Sequence, residues 1–427
     1  MIKELHLHQI GPVPDLEAEF GPRLNVITGD NGLGKTFLLD ACWYALTRTW
    51  PDGRQFYPLP QVPKQDPPSI KYAVVGKTGK AAENHADYRF SDQMWKGQQA
   101  RPSMPGLVIY ARIDGGFSVW DPARNYWRDG EEGSHRPSAY QFSKTEVWEG
   151  LDEVVEGQKI SACNGLLRDV ETWRLKGNGA FKLLQGVLKT LSSGEAESVT
   201  IGEGVRVRVG DSKDIPTLKM AYGDVPVTQA AAGMRRVLAL AYLLVWAWEE
   251  HRQITLLKKE TPTTRIVLLF DEVEAHLHPK WQRRFLPALL SVLESLLLQE
   301  KAESVQVIAT THAPLVLASV EAKFNEGTDQ LFMFDLESKK VSFQPIPWAL
   351  RGDASAWLRS PLFGLRQARS RDAEEVIEAA EKWMRNDRLG LPAGLSSADQ
   401  IHHRLVEVLP EFDSFWPRWI IKRRGHA

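Results

Sequence analysis

The stretch Gly29-Asp30-Asn31-Gly32-Leu33-Gly34-Lys35-Thr36 decides the fold of this chain. An apolar run from Leu24 to Ile27 precedes it and predicts a short buried strand, and residues 35 to 48 predict a helix. The stretch matches the pattern G-x-x-x-x-G-K-[ST] in full. Glycines let the backbone curl so that successive N–H groups point inward, and the helix that follows adds the positive end of its dipole. The sequence therefore predicts a phosphate-binding loop between a strand and a helix.

The residues of this loop have separate expected tasks. Lys35 is expected to reach the β- and γ-phosphates, and the hydroxyl of Thr36 is expected to bind Mg²⁺. The remaining phosphate contacts are predicted from the backbone of Asp30, Asn31, Gly32, Leu33 and Gly34. ATP and Mg²⁺ are therefore the predicted ligands.

A second motif lies where an apolar run ends in two carboxylates. Residues 266 to 270 predict a buried parallel strand, and Asp271 and Glu272 follow it directly. Such a strand delivers its C-terminal residues to the ligand crevice of an α/β sheet. Asp271 is expected to hold Mg²⁺ through its water shell, and Glu272 to act as the general base that activates the attacking water. Taken alone, such a pair is more often a solvated strand end, and the phosphate loop is what favours the catalytic interpretation.

A histidine follows the next predicted strand in the same way. Residues 305 to 310 predict a buried strand, and Thr311 and His312 follow it directly. A lone histidine is more often structural. Its place at the end of the strand after the carboxylate strand favours a catalytic role instead, in which His312 contacts the γ-phosphate or the attacking water.

The order of strands and helices predicts the fold class. Apolar strands alternate with helices predicted at 233–252 and 280–299, which favours an α/β fold with a largely parallel sheet. We expect an ATPase head over residues 1–350, made of a phosphate-loop lobe (1–50 and 260–350) and an inserted lobe (51–259). Residues 351–427 predict a small helical C-terminal region, with helices at 372–384 and 401–409, that is available for a partner.

Composition excludes several classes of protein. The 53 Lys and Arg residues and 54 Asp and Glu residues give a formal net charge of −1, so no global positive field favours nucleic acid. The two cysteines, Cys42 and Cys163, exclude a disulfide framework and a four-cysteine zinc site. The longest apolar run, Val237 to Trp248, is too short to span a bilayer, which needs roughly 20 residues, and it predicts a buried helix. A cytoplasmic protein without membrane contact is expected.

These motifs, in this order and spacing, resemble the ABC-type ATPase head, in the branch of SMC, Rad50, RecF and OLD-like proteins. The resemblance includes Ile10-Gly11-Pro12, the phosphate loop, and the segment from Asp271 to Pro279. The segment from Ala232 to Tyr242 looks like the signature helix of that branch. Within the branch, the chain looks most like the stand-alone ATPases of bacterial anti-phage systems, of the Septu type.

The resemblance implies a homodimer or larger assembly in which two heads enclose two ATP molecules. The phosphate loop of one protomer would face Ala231, Gly233 and Arg235 of the other. His276 to Pro279 would form the loop that couples the two sites. The family usually has a serine where this chain has Ala231, so no hydroxyl is available for the γ-phosphate, which favours a slow switch over a fast motor. Gln141 and Gln158 are both candidates for the glutamine that senses Mg²⁺.

The sequence predicts an ATP site, and we find no motif in it for a second catalytic activity. Fewer than 200 residues separate the phosphate loop from the signature helix, without heptads, so a long coiled-coil arm is excluded. No D-x-D pair indicates a nuclease centre. We therefore expect the ATPase subunit of an anti-phage assembly that controls a separate effector, a nuclease. A RecF-like DNA-repair ATPase that binds DNA directly is the alternative, and a transporter subunit is disfavoured.

Two basic regions leave a DNA or partner contact open. They are interpreted first as solvated surface and second as contacts for nucleic acid or a protein partner. Their residues are Arg359, Arg366, Arg369 and Arg371, and Lys422 to Arg424.

Overall fold

The computed structural model describes the chain except for residues 59–65, 77–78, 98–102, 127–138, 156, 178, 193, 195–198, 298–303 and 425–427. The chain forms two compact units, Met1–Gly352 and Asp353–Ala427.

The described residues form nineteen strands and eleven α-helices. The strands are β1 (Ile2–His8), β2 (Asp15–Glu19), β3 (Leu24–Gly29), β4 (Ser69–Val75), β5 (Ala81–Arg89), β6 (Met94–Gly97), β7 (Leu107–Ala111), β8 (Phe117–Trp120), β9 (Tyr140–Phe142), β10 (Leu151–Val155), β11 (Gln158–Cys163), β12 (Val205–Arg206), β13 (Asp214–Ile215), β14 (Thr217–Met220), β15 (Gly223–Pro226), β16 (Arg265–Phe270), β17 (Ser304–Thr310), β18 (Asp329–Glu337) and β19 (Lys340–Pro345). The helices are α1 (Lys35–Thr47), α2 (Lys144–Glu149), α3 (Leu166–Lys176), α4 (Gly179–Leu191), α5 (Ala232–Leu257), α6 (Pro279–Leu297), α7 (Pro314–Val320), α8 (Ala354–Leu358), α9 (Arg371–Met384), α10 (Ala398–Val408) and α11 (Trp416–Arg424).

A central eight-stranded sheet carries the site. Its strand order is β19-β18-β3-β17-β16-β7-β8-β9. The five strands from β18 to β7 run parallel to their neighbours, and β19, β8 and β9 pair antiparallel at the edges. The predicted α/β fold with a largely parallel sheet is confirmed. Because β17 lies between β3 and β16, the C-terminal ends of these three strands are neighbours.

A second sheet joins the N-terminus to later strands. Its order is β2-β1-β4-β5-β6, with every pair antiparallel. The sheets therefore do not divide the chain at residue 50, where the sequence placed the start of an inserted lobe. Strands β4 to β6 complete the sheet that β1 begins, and β7 to β9 extend the central sheet. Because β4 pairs with β1 and β7 pairs with β16, neither β1 nor β16 is left as a sheet edge with unpaired backbone donors and acceptors.

One buried glutamine connects the two sheets. The side-chain amide of Gln306, on β17, donates to the carbonyl oxygens of Ile2 and Gly21 at 2.8 and 2.9 Å, and its oxygen accepts from the N–H of Ile2 at 2.9 Å. All its polar atoms are thereby satisfied inside the core, as a buried amide requires.

Helices cover the central sheet. Helix α1 packs between the two sheets, where Leu38, Leu39 and Trp43 are fully buried. Helix α5 is buried from Val237 to Trp248, which explains why that run is apolar on all sides and confirms the predicted buried helix. Among the described residues, no helix is both long enough and apolar enough to cross a membrane.

The C-terminal unit is a small helical cluster with its own core. Ile377, Ile401 and Leu405 are fully buried together with Trp419. The side chain of Ser370 caps α9, and that of Ser397 forms a capping box on α10. The two helices expected from the sequence are present, and α8 and α11 add to them. Several of the basic residues form ion pairs within this unit: Arg366 with Glu378, Arg369 with Asp413, and Arg423 with Asp399.

Candidate active site

The phosphate loop has the backbone geometry that its glycines predict. It connects β3 to α1, and Gly29, Gly32 and Gly34 have φ values of 132°, 78° and 109°. A Cβ on Gly29 would lie 2.3 Å from the carbonyl oxygen of Phe334, so a side chain does not fit there. Leu33 is buried in the core and anchors the loop. The exposed part of the loop, Asp30 to Gly32, leaves its backbone open to a ligand.

The side chain of Lys35 lies inside the loop. Its ammonium donates to the carbonyl oxygens of Gly29 and Asp30 at 2.9 and 2.8 Å. Burial lowers the pKa of Lys35, and the nearby carboxylates of Glu272 and Asp271 oppose that effect. The carboxylates at the end of β16 are therefore close enough to the ammonium of Lys35 to interact with it by charge.

A chain of hydrogen bonds joins the start of α1 to the ends of β16 and β17. The hydroxyl of Thr36 donates to one carboxylate oxygen of Asp271 at 2.7 Å, and the hydroxyl of Thr310 donates to the other oxygen at 2.7 Å. The backbone N–H of Glu272 donates to the same Thr310 hydroxyl at 2.7 Å. Asp271 itself is fully buried. The structure thus brings together Thr36 and Asp271, the two residues predicted at the metal, and adds Thr310, which the sequence reasoning did not single out.

Glu272 and His312 face each other. The Nε2 atom of His312 lies 3.6 Å from a carboxylate oxygen of Glu272, which is beyond hydrogen-bond distance. That nitrogen has no hydrogen-bond partner among the described residues. Glu272 has a positive φ of 47°, a conformation that a non-glycine residue adopts only at some cost in strain. The predicted base and the predicted histidine are therefore neighbours, with one free ring nitrogen between them.

Glu274 is a further residue that sequence reasoning missed. One carboxylate oxygen accepts the hydroxyl of Thr311 at 2.7 Å, and the other accepts the backbone N–H of His312. The only signal in the sequence was its place in the acidic segment that follows Asp271.

The start of α5 lies next to the segment after β16. Ala231 is the residue before the helix and provides no side-chain cap. A Cβ on Gly233 would lie 2.6 Å from the carbonyl oxygen of His276, so this glycine permits close packing of helix and loop. The Nε atom of Arg235 is buried and has no hydrogen-bond partner among the described residues. The structure places these three predicted residues together, but among the described residues no hydrogen bond or ion pair joins them to the phosphate loop.

Arg236 supports the carboxylate segment from the helix side. Its guanidinium donates to the carbonyl oxygens of Asp271 and Glu272, each at 2.9 Å. Burial lowers the pKa of Arg236, and the surrounding carboxylates oppose that effect. Helix α5 is thus attached directly to the backbone of Asp271 and Glu272.

The two glutamine candidates lie in different surroundings. Gln141, on β9, accepts hydrogen bonds from the hydroxyl of Ser118 and the backbone N–H of Asp52. Gln158 is exposed on the hairpin of β10 and β11. Gln141 is therefore held in place, whereas Gln158 is on the surface.

The histidine pair after the carboxylates does not form a metal cluster. His276 and His278 are both exposed, and a ring nitrogen of His278 accepts the backbone N–H of Lys280 at the start of α6. In the part of the chain that the structure describes, no group of three or more His, Cys, Asp or Glu side chains could hold a metal ion.

Two family models match separate parts of the chain. Residues 4–94, which include the phosphate loop, match a model described as an AAA domain. Residues 185–318, which include Asp271, Glu272 and His312, match a model described as an AAA domain, putative AbiEii toxin, type IV toxin–antitoxin system.

Two curated relatives are similar in sequence. The Septu protein PtuA of Bacillus thuringiensis is 21% identical over 395 residues, which covers 90% of this chain and 89% of PtuA. The retron Ec83 probable ATPase of Escherichia coli is 28% identical over 145 residues, which covers 33% of this chain but only 22% of that protein. Among solved structures, the SMC head domain of Thermotoga maritima is 13% identical with a TM-score of 0.38, covering 81% of this chain and 99% of that one.

Proposed function

On the premise that this chain is an ABC-type P-loop ATPase related to the ATPases of anti-phage defence systems, we propose that it binds ATP with Mg²⁺ and hydrolyses it slowly. The observation that carries this proposal is the hydrogen-bonded chain from Thr36 through Asp271 and Thr310 to Glu272. It joins the first turn of α1, at the phosphate loop, to the general base through groups at the ends of the neighbouring strands β16 and β17.

The donor set fits a hard divalent cation. The Thr36 hydroxyl and the Asp271 carboxylate supply oxygen atoms beside the phosphate loop, and Mg²⁺ prefers oxygen ligands, with several waters retained. Thr36 would hold the ion directly and Asp271 would hold it through water. When bound, the ion neutralises negative charge on the phosphates.

The protein's own groups would perform the hydrolysis. Lys35 and the backbone N–H groups at the start of α1 would hold the β- and γ-phosphates. The carboxylate of Glu272 would accept a proton from the attacking water. The free Nε2 atom of His312 lies on the same side as that carboxylate and would contact the water or the γ-phosphate.

We propose that the active form is a dimer of heads. Ala231, Gly233 and Arg235 of one protomer would face the ATP bound in the other, and the unpaired Nε of Arg235 supports a role toward an anion. Because Ala231 has no hydroxyl, stabilisation of the γ-phosphate would rely on backbone N–H groups and arginine. This supports slow turnover, suited to a switch.

The ATPase would control a separate effector. The candidate catalytic residues, Glu272 and His312, both lie at the proposed nucleotide site. The two curated relatives are named as a Septu protein and a retron ATPase. We therefore propose a nuclease partner in an anti-phage assembly, whose access or activity depends on the nucleotide state of the heads. The helical unit Asp353–Ala427 would be available for that partner.

The first test uses two variants of the ATP site. Glu272→Gln should lower kcat by about 100-fold or more because the general base is lost, while it retains ATP binding and accumulates the closed dimer. Lys35→Ala should lose the β- and γ-phosphate contacts and stay monomeric with ATP. Phosphate release and light scattering with and without ATP measure both effects. A Glu272→Gln variant that turns over at the wild-type rate contradicts the assignment of the base.

The second test identifies what the ATPase controls. Glu272→Gln protein is recovered with ATP from cells that carry its native gene neighbours, and bound proteins are identified by mass spectrometry, with Lys35→Ala as the matched control. A nuclease that is recovered with the first variant and not with the second supports the proposal. Recovery of DNA alone, with ATP turnover that DNA stimulates and salt suppresses, overturns it in favour of direct DNA repair.

A further inference from the structure

Glu274 links two segments of the site that are far apart in sequence. It lies in the turn after β16, and its side chain reaches the loop after β17. There it accepts hydrogen bonds from the Thr311 hydroxyl and from the backbone N–H of His312, one on each carboxylate oxygen. The turn itself is held beside β17 because the N–H of Val273 donates to the carbonyl of Thr310 at 3.1 Å.

These contacts fix the backbone that carries His312. The hydroxyl of Thr311 also accepts the N–H of Ala313 at 3.0 Å, and the N–H of Thr311 donates to the carbonyl of Ile27 at 3.0 Å. The N–H of His312 has Glu274 as its partner, at a half-buried position. Removal of the carboxylate would leave that donor unsatisfied and free the peptide to turn.

The ring of His312 depends on this peptide for its place. Its Nε2 atom lies 3.6 Å from Glu272 and is free to bond, so a small rotation of the backbone changes what it can reach. Catalytic groups that are misplaced by about 1 Å can lose about 100-fold in rate. Glu274 itself is not placed to act as a base, because both its oxygens already accept hydrogen bonds from the protein.

We propose that Glu274 is a positioning residue for ATP hydrolysis, which holds His312 so that its imidazole faces Glu272. This inference rests on the proposed function, since it assigns Glu274 a task within the same reaction. The task requires two hydrogen-bond contacts and not a negative charge. Glutamine can provide both, because its oxygen accepts the His312 N–H and its amide can donate to the Thr311 hydroxyl.

The experiment measures kcat and KM for ATP in the full-length chain. Glu274→Ala should lower kcat about 10-fold with KM within about twofold, because orientation is lost and ATP binding is not. Glu274→Gln should stay within about threefold of wild type. In a His312→Ala background, Glu274→Ala should lower kcat by less than about twofold further, since its effect passes through the missing ring.

Glu146→Ala is the matched control, because it also removes a carboxylate that accepts a backbone N–H, in the capping box of α2, and it should leave kcat unchanged. Melting temperatures of all variants identify any that fail to fold, and Glu274→Gln keeps the test decisive if Glu274→Ala is one of them. Full activity of Glu274→Ala, activity of Glu274→Gln as low as a folded alanine variant, or additive effects with His312→Ala each overturn the positioning role. A wild-type chain without ATP turnover instead overturns the proposed function, and the role of Glu274 with it.

Discussion

Thr310 shows how one side chain can organise a site. Its hydroxyl donates to Asp271 and accepts from the N–H of Glu272, so it uses both its donor and an acceptor lone pair. The two carboxylates are thereby held in different ways, Asp271 by its side chain and Glu272 by its backbone. Asp271 is fully buried, so loss of one of its partners would be costly.

Thr310→Val keeps the shape of the side chain and removes both hydrogen bonds. We expect kcat for ATP to fall about 10-fold, because the Glu272 backbone and the Asp271 carboxylate each lose a partner. Thr310→Ser restores the hydroxyl and should return kcat to within about threefold of wild type. Phosphate release at saturating ATP measures both, and equal rates for the valine and serine variants contradict the role assigned to the hydroxyl.

At the scale of elements, helix α1 is fixed to strand β7 by a half-buried carboxyl group. Asp40, on α1, accepts the hydroxyl of Tyr110 at 2.8 Å. Burial raises the pKa of Asp40 to about 7, the hydrogen bond from Tyr110 opposes this rise, and the negative charge of Asp271 adds to it. An unfolded aspartate has a pKa of about 3.9, so the folded chain holds this proton over a pH range in which the unfolded chain has lost it. The contribution of Asp40 to the free energy of unfolding therefore falls as pH rises from about 4 to about 7.

Asp40→Asn removes this titration and keeps an oxygen that can accept from Tyr110. The melting temperature of the variant relative to wild type should rise between pH 5 and pH 8, by about 2 °C or more. Thermal unfolding of both proteins at the two pH values measures the difference. Asp66→Asn, at an exposed position, is the control and should show no such change. A difference for Asp40→Asn that is the same at both pH values contradicts a half-buried carboxyl group with a raised pKa.

At the scale of the whole molecule, the chain has two units with separate cores. The unit Met1–Gly352 contains the eight-stranded and the five-stranded sheet and all the residues proposed for the ATP site. In the unit Asp353–Ala427, the residues up to 424 form four helices around a core that includes Ile401, Leu405 and Trp419. Each unit therefore has apolar side chains of its own to bury, which is the physical requirement for independent folding.

A chain shortened to residues 1–352 should fold cooperatively and retain ATP turnover within about threefold of the full chain. Circular dichroism during heating and phosphate release measure the two properties. The shortened chain with Lys35→Ala is the control for turnover that depends on the site. Aggregation of the shortened chain, or turnover more than tenfold lower, contradicts independent folding of the ATPase unit.

The sequence alone determined the features that depend on local backbone chemistry. The glycines from 29 to 34 specify the phosphate loop, the apolar runs before Asp271 and His312 specify two buried strands, and the run from Val237 specifies a buried helix. Each of these is confirmed as an element, because periodicity and the conformational freedom of glycine act within a few residues. The proposed site residues followed because C-terminal ends of parallel strands meet at one edge of a sheet.

Only the tertiary structure decided which distant segments meet. The pairing of β1 with β4, the place of β17 between β3 and β16, and the contact of Glu274 with the His312 loop join residues tens to hundreds of positions apart. The run from 329 to 337 was not predicted as a strand, although it forms β18 beside β3. Strand partners are selected by packing and hydrogen bonding across the whole sheet, and no local pattern encodes that selection. Thr310, Glu274 and Asp40 were missed for this reason, since each gains its importance from a partner on another element.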